Sequence, residues 1–314
     1  MKRALVTGAA GFIGSHLTEV LLDRGYEVRG LDNLSSGSLD NLSAVSDHDL
    51  FSFIQGDIRD REAVEKGIDG VDSVFHQAAV ASVQRSFDEP SVVADVNCTG
   101  TSVLLEAAAT ADVETMVVAS SAAVYGSSEE LPKHEAMAVD PESPYALSKY
   151  YTEQATLQLG RENDITAVGL RYFNVFGPRQ DPNGEYAAVV PKFIDLMRNG
   201  ERPTIFGDGE QSRDFVSIED VVQANLKAAE SGSTGIYNIA RGNRATINEL
   251  VNQLNEILGT EIAPKHDDAR PGDIRHSVAD ISKSREQLEY EPTTSFEEGL
   301  RQTITQFQSK PNQS

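Results

Sequence analysis

The chain has 314 residues, of which 39% are hydrophobic, so it can bury a core for one large domain or two ordinary ones. Its 49 acidic residues outnumber its 27 lysines and arginines, and the net charge of −22 argues against nucleic acid or a membrane surface as a partner. The single cysteine, Cys98, excludes an internal disulfide and a cysteine-based metal site. With no membrane-length apolar run and no signal-peptide pattern before the first strand, we expect a cytoplasmic protein without a metal.

Residues 4–32 carry the pattern of a strand, a glycine turn, a helix and a second strand. The turn is Gly8-Ala9-Ala10-Gly11-Phe12-Ile13-Gly14, and its glycines let the backbone approach a pyrophosphate whose charge faces the helix N-terminus. The second strand ends at Asp32, roughly 20 residues past the glycines, where an acid can bind a ribose 2′-hydroxyl. Asn33 follows, and not an arginine for a 2′-phosphate, so the sequence favours NAD over NADP.

Strand and helix patterns alternate along the rest of the chain. Further strands are predicted at 50–55, 71–76, 115–119, 165–170 and 235–240, with a strand and turn at 203–209. Helices are predicted at 92–111, 145–163, 189–198, 218–231, 250–258, 281–288 and 296–307. This alternation predicts an α/β fold with a doubly wound parallel sheet, in which ligands bind at the carboxyl ends of the strands.

The composition of the chain changes after Arg171, where turn residues become frequent. We predict a NAD-binding Rossmann domain at 1–172 that is rejoined by about 214–240. A smaller α/β substrate-binding domain is predicted at 173–213 and 241–308, laid over the strand ends. Residues 309–314 are predicted to form a polar tail.

A candidate catalytic pair lies in the predicted helix that begins near Pro144. Tyr145 and Lys149 are four residues apart, so they project from one face of that helix. An ammonium near a phenol favours the phenolate and lowers the phenol's pKa, which predicts a base usable near neutral pH.

Together these patterns resemble those of extended short-chain dehydrogenase/reductase proteins, specifically the nucleotide-sugar 4-epimerases. The resemblance covers nearly the whole length, and its motifs occur in the family's order. They are the glycine turn, Asp32, Gly56-Asp57, the run from Ser120 to Gly126, Tyr145 with Lys149, Arg171-Tyr172-Phe173-Asn174, Ser212-Arg213-Asp214-Phe215 and Arg270-Pro271-Gly272-Asp273.

The resemblance implies a role for each member of a catalytic set. Tyr145 would take the proton from the sugar 4′-hydroxyl, while Lys149 would lower its pKa and hold the nicotinamide ribose. Ser121 matches the family's catalytic Ser/Thr, whose hydroxyl can hydrogen-bond the reacting oxygen. The hydride would pass to NAD and return to the other face of a 4-keto sugar, so NAD should stay bound through turnover.

The resemblance also implies the binding residues, with arginines suited to the substrate diphosphate. The expected cofactor-binding residues are Gly8, Gly11, Phe12, Ile13, Gly14, Asp32, Asn33, Gly37, Asp57, Ile58, Gln77, Ala78, Ala79, Asn97, Ser120, Tyr145, Lys149 and Tyr172. The expected substrate-binding residues are Ser121, Tyr145, Asn174, Val189, Thr204, Phe206, Arg213, Arg270, Asp273 and Ser277. A homodimer through the helices at 92–111 and 145–163 is expected from the family as well.

Two departures from related patterns narrow the expected substrate. Ala122 and Ala123 stand where related 4,6-dehydratases carry an Asp-Glu pair, so elimination would lack its general acid and base. The resemblance implies that the bulk of the side chain at the position of Ser277 gates the 2′-substituent of the sugar. Because serine is small, we expect activity on UDP-GlcNAc and UDP-GalNAc as well as on UDP-glucose and UDP-galactose.

Two alternatives remain open from the sequence. The first is a UDP-glucuronate epimerase or decarboxylase on the same scaffold, which would want a further basic group that the sequence cannot place. The second is a non-catalytic scaffold that senses NAD, although Ser121, Tyr145 and Lys149 are all present. Product analysis separates the first alternative, and NADH absorbance on adding a UDP-sugar separates the second.

The acidic composition leads to a prediction about salt. We expect a halophilic protein from a cytoplasm of high salt, because salt screens the repulsion among its carboxylates. The melting temperature should therefore rise as KCl is increased from low to molar concentration. Unchanged thermal stability across that range would contradict the prediction.

Overall fold

In a computed structural model, the chain is described at residues 1–182, 187–269 and 274–309, with side chains as far as Gln306. The predicted site residues Arg270 and Asp273 lie outside the described residues, as do positions 310–314 of the predicted tail. The prediction that the polar tail begins at position 309 was wrong, because the last helix continues through Ser309.

Within the described chain, the strands form one large sheet and three short pairs. In chain order they are β1 (Arg3–Thr7), β2 (Glu27–Asp32), β3 (Phe51–Gln55), β4 (Ser73–His76), β5 (Thr115–Ser121), β6 (Thr166–Tyr172), β7 (Asn174–Phe176), β8 (Thr204–Phe206), β9 (Ser212–Arg213), β10 (Phe215–Ser217), β11 (Gly235–Ile239), β12 (Ala245–Thr246) and β13 (Lys265–Asp267). The large sheet has the order β11-β6-β5-β4-β1-β2-β3, and every pairing in it is parallel. This confirms the predicted doubly wound α/β fold.

Helices cover the sheet and build the layer above its strand ends. They are α1 (Phe12–Asp23), α2 (Arg61–Ile68), α3 (Val83–Asp88), α4 (Pro90–Ala94), α5 (Gly100–Ala108), α6 (Pro144–Asn163), α7 (Val189–Arg198), α8 (Ile218–Glu230), α9 (Ile247–Leu258), α10 (Ser282–Leu288) and α11 (Phe296–Ser309). Among the described residues, no helix has the length and apolar character needed to cross a membrane.

The glycine turn between β1 and α1 is packed too tightly for side chains. Gly8 has a φ of +69°, a conformation that glycine adopts without the strain a side chain would bring. A Cβ placed on Gly14 would lie 2.0 Å from the carbonyl oxygen of Gly8. The turn therefore brings the first turn of α1 directly against the end of β1.

The predicted helix at 92–111 is interrupted. Between α4 and α5 the chain makes a π-helical turn, Asp95–Thr99, which contains Asn97. The Asn97 side chain is buried, bonds both backbone groups of Val80 and donates to the hydroxyl of Ser148. The turn accommodates this local network, which periodicity in the sequence cannot show.

The layer above the strand ends has a hydrophobic core of its own. It is built from α7, α9 and α11 with the short strands β7, β8, β10 and β12, and its aromatic centre is Phe176, Phe215 and Phe296. The rings of Phe215 and Phe296 stack with centroids 5.0 Å apart. This layer covers the carboxyl ends of the central strands, where the order of the sheet reverses around β1 and β4.

Candidate active site

A cavity of about 1110 Å³ lies at the carboxyl ends of β1, β2 and β4. Its size suits a dinucleotide, because ordinary ligand pockets measure roughly 300–1,000 Å³. The predicted cofactor residues that line it are Gly8, Gly11, Phe12, Ile13, Gly14, Asp32, Asn33, Ile58, Gln77, Ala78 and Ala79. The first βαβ unit and the loop after β4 thus meet in one cleft.

The glycine turn and Asp32 have the chemistry that a dinucleotide requires. Gly11 occupies the N-cap of α1 with no side-chain cap, so the first amides of the helix face the cleft without a side-chain acceptor. A Cβ on Gly11 would lie 3.1 Å from the Gly8 carbonyl oxygen, so a larger residue would crowd this cradle. The Asp32 carboxylate accepts hydrogen bonds from the amides of Ala10 (3.0 Å) and Leu34 (2.8 Å) at the rim of the cleft. These residues fit NAD.

Some predicted cofactor residues make internal contacts instead of lining this cavity. The Asp57 carboxylate is held by Arg59 and by the amide of Asn33, and its hydrogen bonds to Arg59 keep the Asp57 pKa well below its usual value. The hydroxyl of Tyr172 is bonded to Asn225 and Gln77, and burial raises its pKa to about 12. The remaining predicted residues outside the cavity lining are Gly37, Asn97, Ser120, Tyr145 and Lys149.

One wall of the cavity was missed by the sequence analysis. It comes from the loop after β7, from the end of α7 and from α11, which are far from the glycine turn in sequence. Its residues are Arg179, Gln180, Asp181, Pro182, Asp195, Arg198, Asn199 and Gln306. Arg179 bonds Glu19 of α1 at 2.5 Å, and the carbonyl of Pro178 contacts the ring of His16. No local pattern in the sequence signals contacts over such separations.

The three candidate catalytic residues come together where β5 meets α6. Tyr145 and Lys149 are both buried on α6, and the Lys149 ammonium lies 6.0 Å from the centre of the Tyr145 ring. Lys149 Nζ donates to the Ala119 carbonyl oxygen at 3.0 Å. The hydroxyl of Ser121, the last residue of β5, hydrogen-bonds Tyr145. The i and i+4 spacing thus does place the phenol and the amine on one buried face.

The ionisation of this cluster differs from the expectation in one respect. Burial raises the pKa of Tyr145 above its ordinary value, and the Ser121 hydrogen bond opposes that effect. Burial also lowers the pKa of Lys149 to about 8, because a desolvated ammonium favours its neutral form. The expected lowering of the Tyr145 pKa was wrong for this arrangement, because desolvation of the phenol is the largest influence on its pKa and raises it.

The described substrate candidates other than Ser121 and Tyr145 lie on segments of the upper layer. The backbone amide of Asn174 donates to the carbonyl of Asp214 at 3.0 Å, and the backbone amide of Ser277 donates to the carbonyl of Ser212 at 3.0 Å. Asp214 and Ser212 are the two chain neighbours of Arg213. Thr204 and Phe206 lie two residues apart on β8, so they share one side of that strand. Val189 opens α7. Asn174, Arg213 and Ser277 are therefore brought together by main-chain hydrogen bonds.

Comparison with known proteins agrees with this architecture. The NAD dependent epimerase/dehydratase family matches residues 4–240. A structure of UDP-N-acetylglucosamine 4-epimerase from Methanobrevibacter ruminantium M1, in complex with UDP-N-acetylmuramic acid, superposes with a TM-score of 0.95 at 42% identity over 98% of both chains.

Two curated relatives show the range of activities named within this similarity. UDP-glucose 4-epimerase of Mycolicibacterium smegmatis is 39% identical over 316 residues, covering 98% of this chain and 99% of the relative. UDP-glucuronate 4-epimerase of Thermodesulfobacterium geofontis is 33% identical over 309 residues, covering 96% and 94%. With the matched fold and the cleft fitted to NAD, the chain belongs to the NAD-dependent epimerase/dehydratase family.

Proposed function

We propose that the protein is a NAD-dependent UDP-sugar 4-epimerase, an isomerase that interconverts UDP-glucose with UDP-galactose and UDP-GlcNAc with UDP-GalNAc. The observation that carries the proposal is the cluster of half-buried Ser121 with buried Tyr145 and Lys149 at the end of β5, on the same edge of the sheet as a cleft fitted to NAD. Relatives named as UDP-glucose and UDP-N-acetylglucosamine 4-epimerases support the substrate class.

In this proposal Tyr145 is the base. Its phenolate accepts the proton of the sugar 4′-hydroxyl, and the Ser121 hydroxyl holds the reacting oxygen through a hydrogen bond. The cleft would hold NAD, which would supply reversible hydride acceptance, so the net reaction would consume no oxidant. Lys149 binds the nicotinamide ribose in this proposal and, below its pKa of about 8, supplies positive charge beside the reacting phenol. The buried setting would keep water away from the reacting carbon of the sugar.

The upper layer is proposed to hold the nucleotide diphosphate. Arg213 binds the diphosphate together with Arg270, and the side chain of Phe206 contacts uracil. The other proposed substrate contacts are Asn174, Val189, Thr204 and Asp273. This separation of tasks gives the proposed domain division. Residues 1–172 and about 214–240 bind NAD, and residues 173–213 and 241–308 bind the sugar nucleotide.

The uronate alternative keeps one supporting observation, the similarity to a UDP-glucuronate 4-epimerase at 33% identity. The plain and N-acetylated hexoses are favoured because relatives named for them are 39% and 42% identical. Chromatography of the products from UDP-glucose, UDP-GlcNAc and UDP-glucuronate distinguishes these activities. A decarboxylase would release CO₂ and a pentose nucleotide from the third substrate only.

We further propose the expected homodimer through the helices at 92–111 and 145–163, which are α4, α5 and α6 in the structure, and we add α3, which packs against α4 and α6. Apolar side chains on these helices are exposed, among them Phe87 (56%) and Leu147 (59%), with Val83, Val92 and Tyr151 nearby in sequence on the same helices. Exposed apolar side chains gathered on packed helices are typical of an interface.

We also propose that this acidic protein works in a cytoplasm of high salt.

The first test replaces the phenol. Tyr145→Phe should lower kcat by about 10²- to 10⁴-fold, the range for loss of a general base, while UDP-sugar still binds. The wild-type rate should rise with pH until Tyr145 is ionised, because burial raises its pKa. Tyr151→Phe is the matched control, since Tyr151 is a half-exposed tyrosine of the same helix. Full activity of Tyr145→Phe would contradict the mechanism.

The second test concerns the sugar 2′-substituent. Ser277→Tyr adds bulk beside β9 and should remove activity on UDP-GlcNAc and UDP-GalNAc while conversion of the plain hexoses continues. The measurement is kcat/KM for all four UDP-sugars. If both pairs of substrates lose activity equally, Ser277 is not the gate.

The third test concerns the dimer. Phe87→Glu places a carboxylate on the exposed apolar surface and should convert the dimer to a monomer in light scattering. Leu39→Glu is its control, because Leu39 is similarly exposed (53%) and lies outside α3, α4 and α6. A wild-type protein that scatters as a monomer would refute the interface.

A further inference from the structure

A buried ion pair lies beside the catalytic cluster, and the proposed chemistry does not use it. Glu153 on α6 accepts two hydrogen bonds from Arg171 at the end of β6, at 2.7 and 2.8 Å. Their side chains are 0% and 4% exposed. The hydroxyl of Ser120 donates to Glu153 Oε1 at 2.5 Å, and this oxygen also accepts the hydrogen bond from Arg171 Nε. The Arg171 guanidinium also lies over the ring of Tyr125, 4.7 Å from its centre.

The position of this network is its most informative feature. Three consecutive residues at the end of β5 each contact α6: the Ala119 carbonyl binds Lys149, the Ser120 hydroxyl binds Glu153, and the Ser121 hydroxyl binds Tyr145. The three α6 residues, Tyr145, Lys149 and Glu153, are spaced by four and so lie on one face of the helix. The Glu153 contact is therefore the third point that sets how α6 rotates and slides against β5.

A contribution to the free energy of folding does not by itself explain why a buried ion pair is present. Removing two charges from water is costly, and apolar replacement of a whole buried pair is often neutral or stabilising. Removal of a single partner, in contrast, leaves an uncompensated buried charge. A buried, hydrogen-bonded ion pair can instead define the register of a helix, because its hydrogen bonds are directional.

We propose that Glu153, Arg171 and Ser120 are positioning residues that hold Ser121 against Tyr145 in the reactive arrangement. This inference rests on the proposed function for the roles of Ser121 and Tyr145. Glu153 acts through Ser120, the immediate neighbour of Ser121, while Arg171 ties the same carboxylate to β6. Loss of the network should let β5 and α6 shift, which weakens the Ser121 hydrogen bond to Tyr145.

The test replaces the whole pair by apolar residues of similar size, Glu153→Leu with Arg171→Met. The melting temperature should stay at or above the wild-type value, and the KM for the UDP-sugar should change by less than about twofold. The kcat should fall by about ten- to a hundredfold. Its pH profile should move to higher pH, because the Ser121 hydrogen bond that favours the phenolate is lost.

Two further variants complete the series. Ser120→Ala removes only the β5 contact and should reduce kcat several-fold with little change in stability, which keeps the proposal testable if the double variant does not fold. The control is Arg285→Met with Glu291→Leu, an exposed pair with the same two-bond geometry at 2.8 Å. It should leave kcat and the pH profile unchanged.

A second readout does not depend on turnover. The tyrosinate absorbance of each variant, minus that of the same variant carrying Tyr145→Phe, reports the ionisation of Tyr145. This titration should move to higher pH when the buried pair is replaced. Wild-type kcat together with an unshifted titration in the double variant and in Ser120→Ala would overturn the positioning role. Absence of UDP-sugar conversion by the wild type would instead refute the proposed function, and the titration would still decide this inference.

Discussion

The contact between one face of α6 and the end of β5 is the constraint on which the candidate site depends. Residues 119–121 meet side chains spaced by four along the helix, so the strand end and the helix must keep one relative position. Burial of Lys149 and Glu153 makes this contact expensive unless each group finds its partner. The helix therefore has one orientation in which its polar face is satisfied, and that orientation brings the phenol to the serine hydroxyl.

An acidic protein that binds anions has to solve an electrostatic conflict. The net charge of −22 repels a diphosphate at long range, and salt weakens that repulsion. At short range the first amides of α1 point at the cleft without a side-chain cap, and they supply positive partial charge in a first helical turn that carries no acidic residue. Arg213 is our candidate for the same task in the upper layer. Local dipoles and single guanidinium groups thus offset an unfavourable overall field.

Local sequence determined the parts of the site that depend on short-range geometry. The glycine turn could be recognised because close approach of the backbone at Gly8 and Gly14 tolerates no side chain. Asp32 could be placed because it ends the second strand, roughly 20 residues past the glycines. The shared face of Tyr145 and Lys149 followed from the helical repeat, and Pro144 correctly indicated where α6 begins. The parallel sheet followed in the same way from alternating strands and helices.

Tertiary structure alone decided which of these groups meet and how they ionise. Ser120 was expected at the cofactor, but its hydroxyl bonds Glu153, a residue with no signal in the sequence beyond its place on α6. The sign of the Tyr145 pKa shift was also beyond the sequence, because desolvation depends on every element packed around the phenol. The cleft wall at Arg179 is formed by segments more than 150 residues from the glycine turn. Periodicity reports the neighbours of a residue along one helix or strand, whereas burial and long-range pairing are properties of the assembled chain.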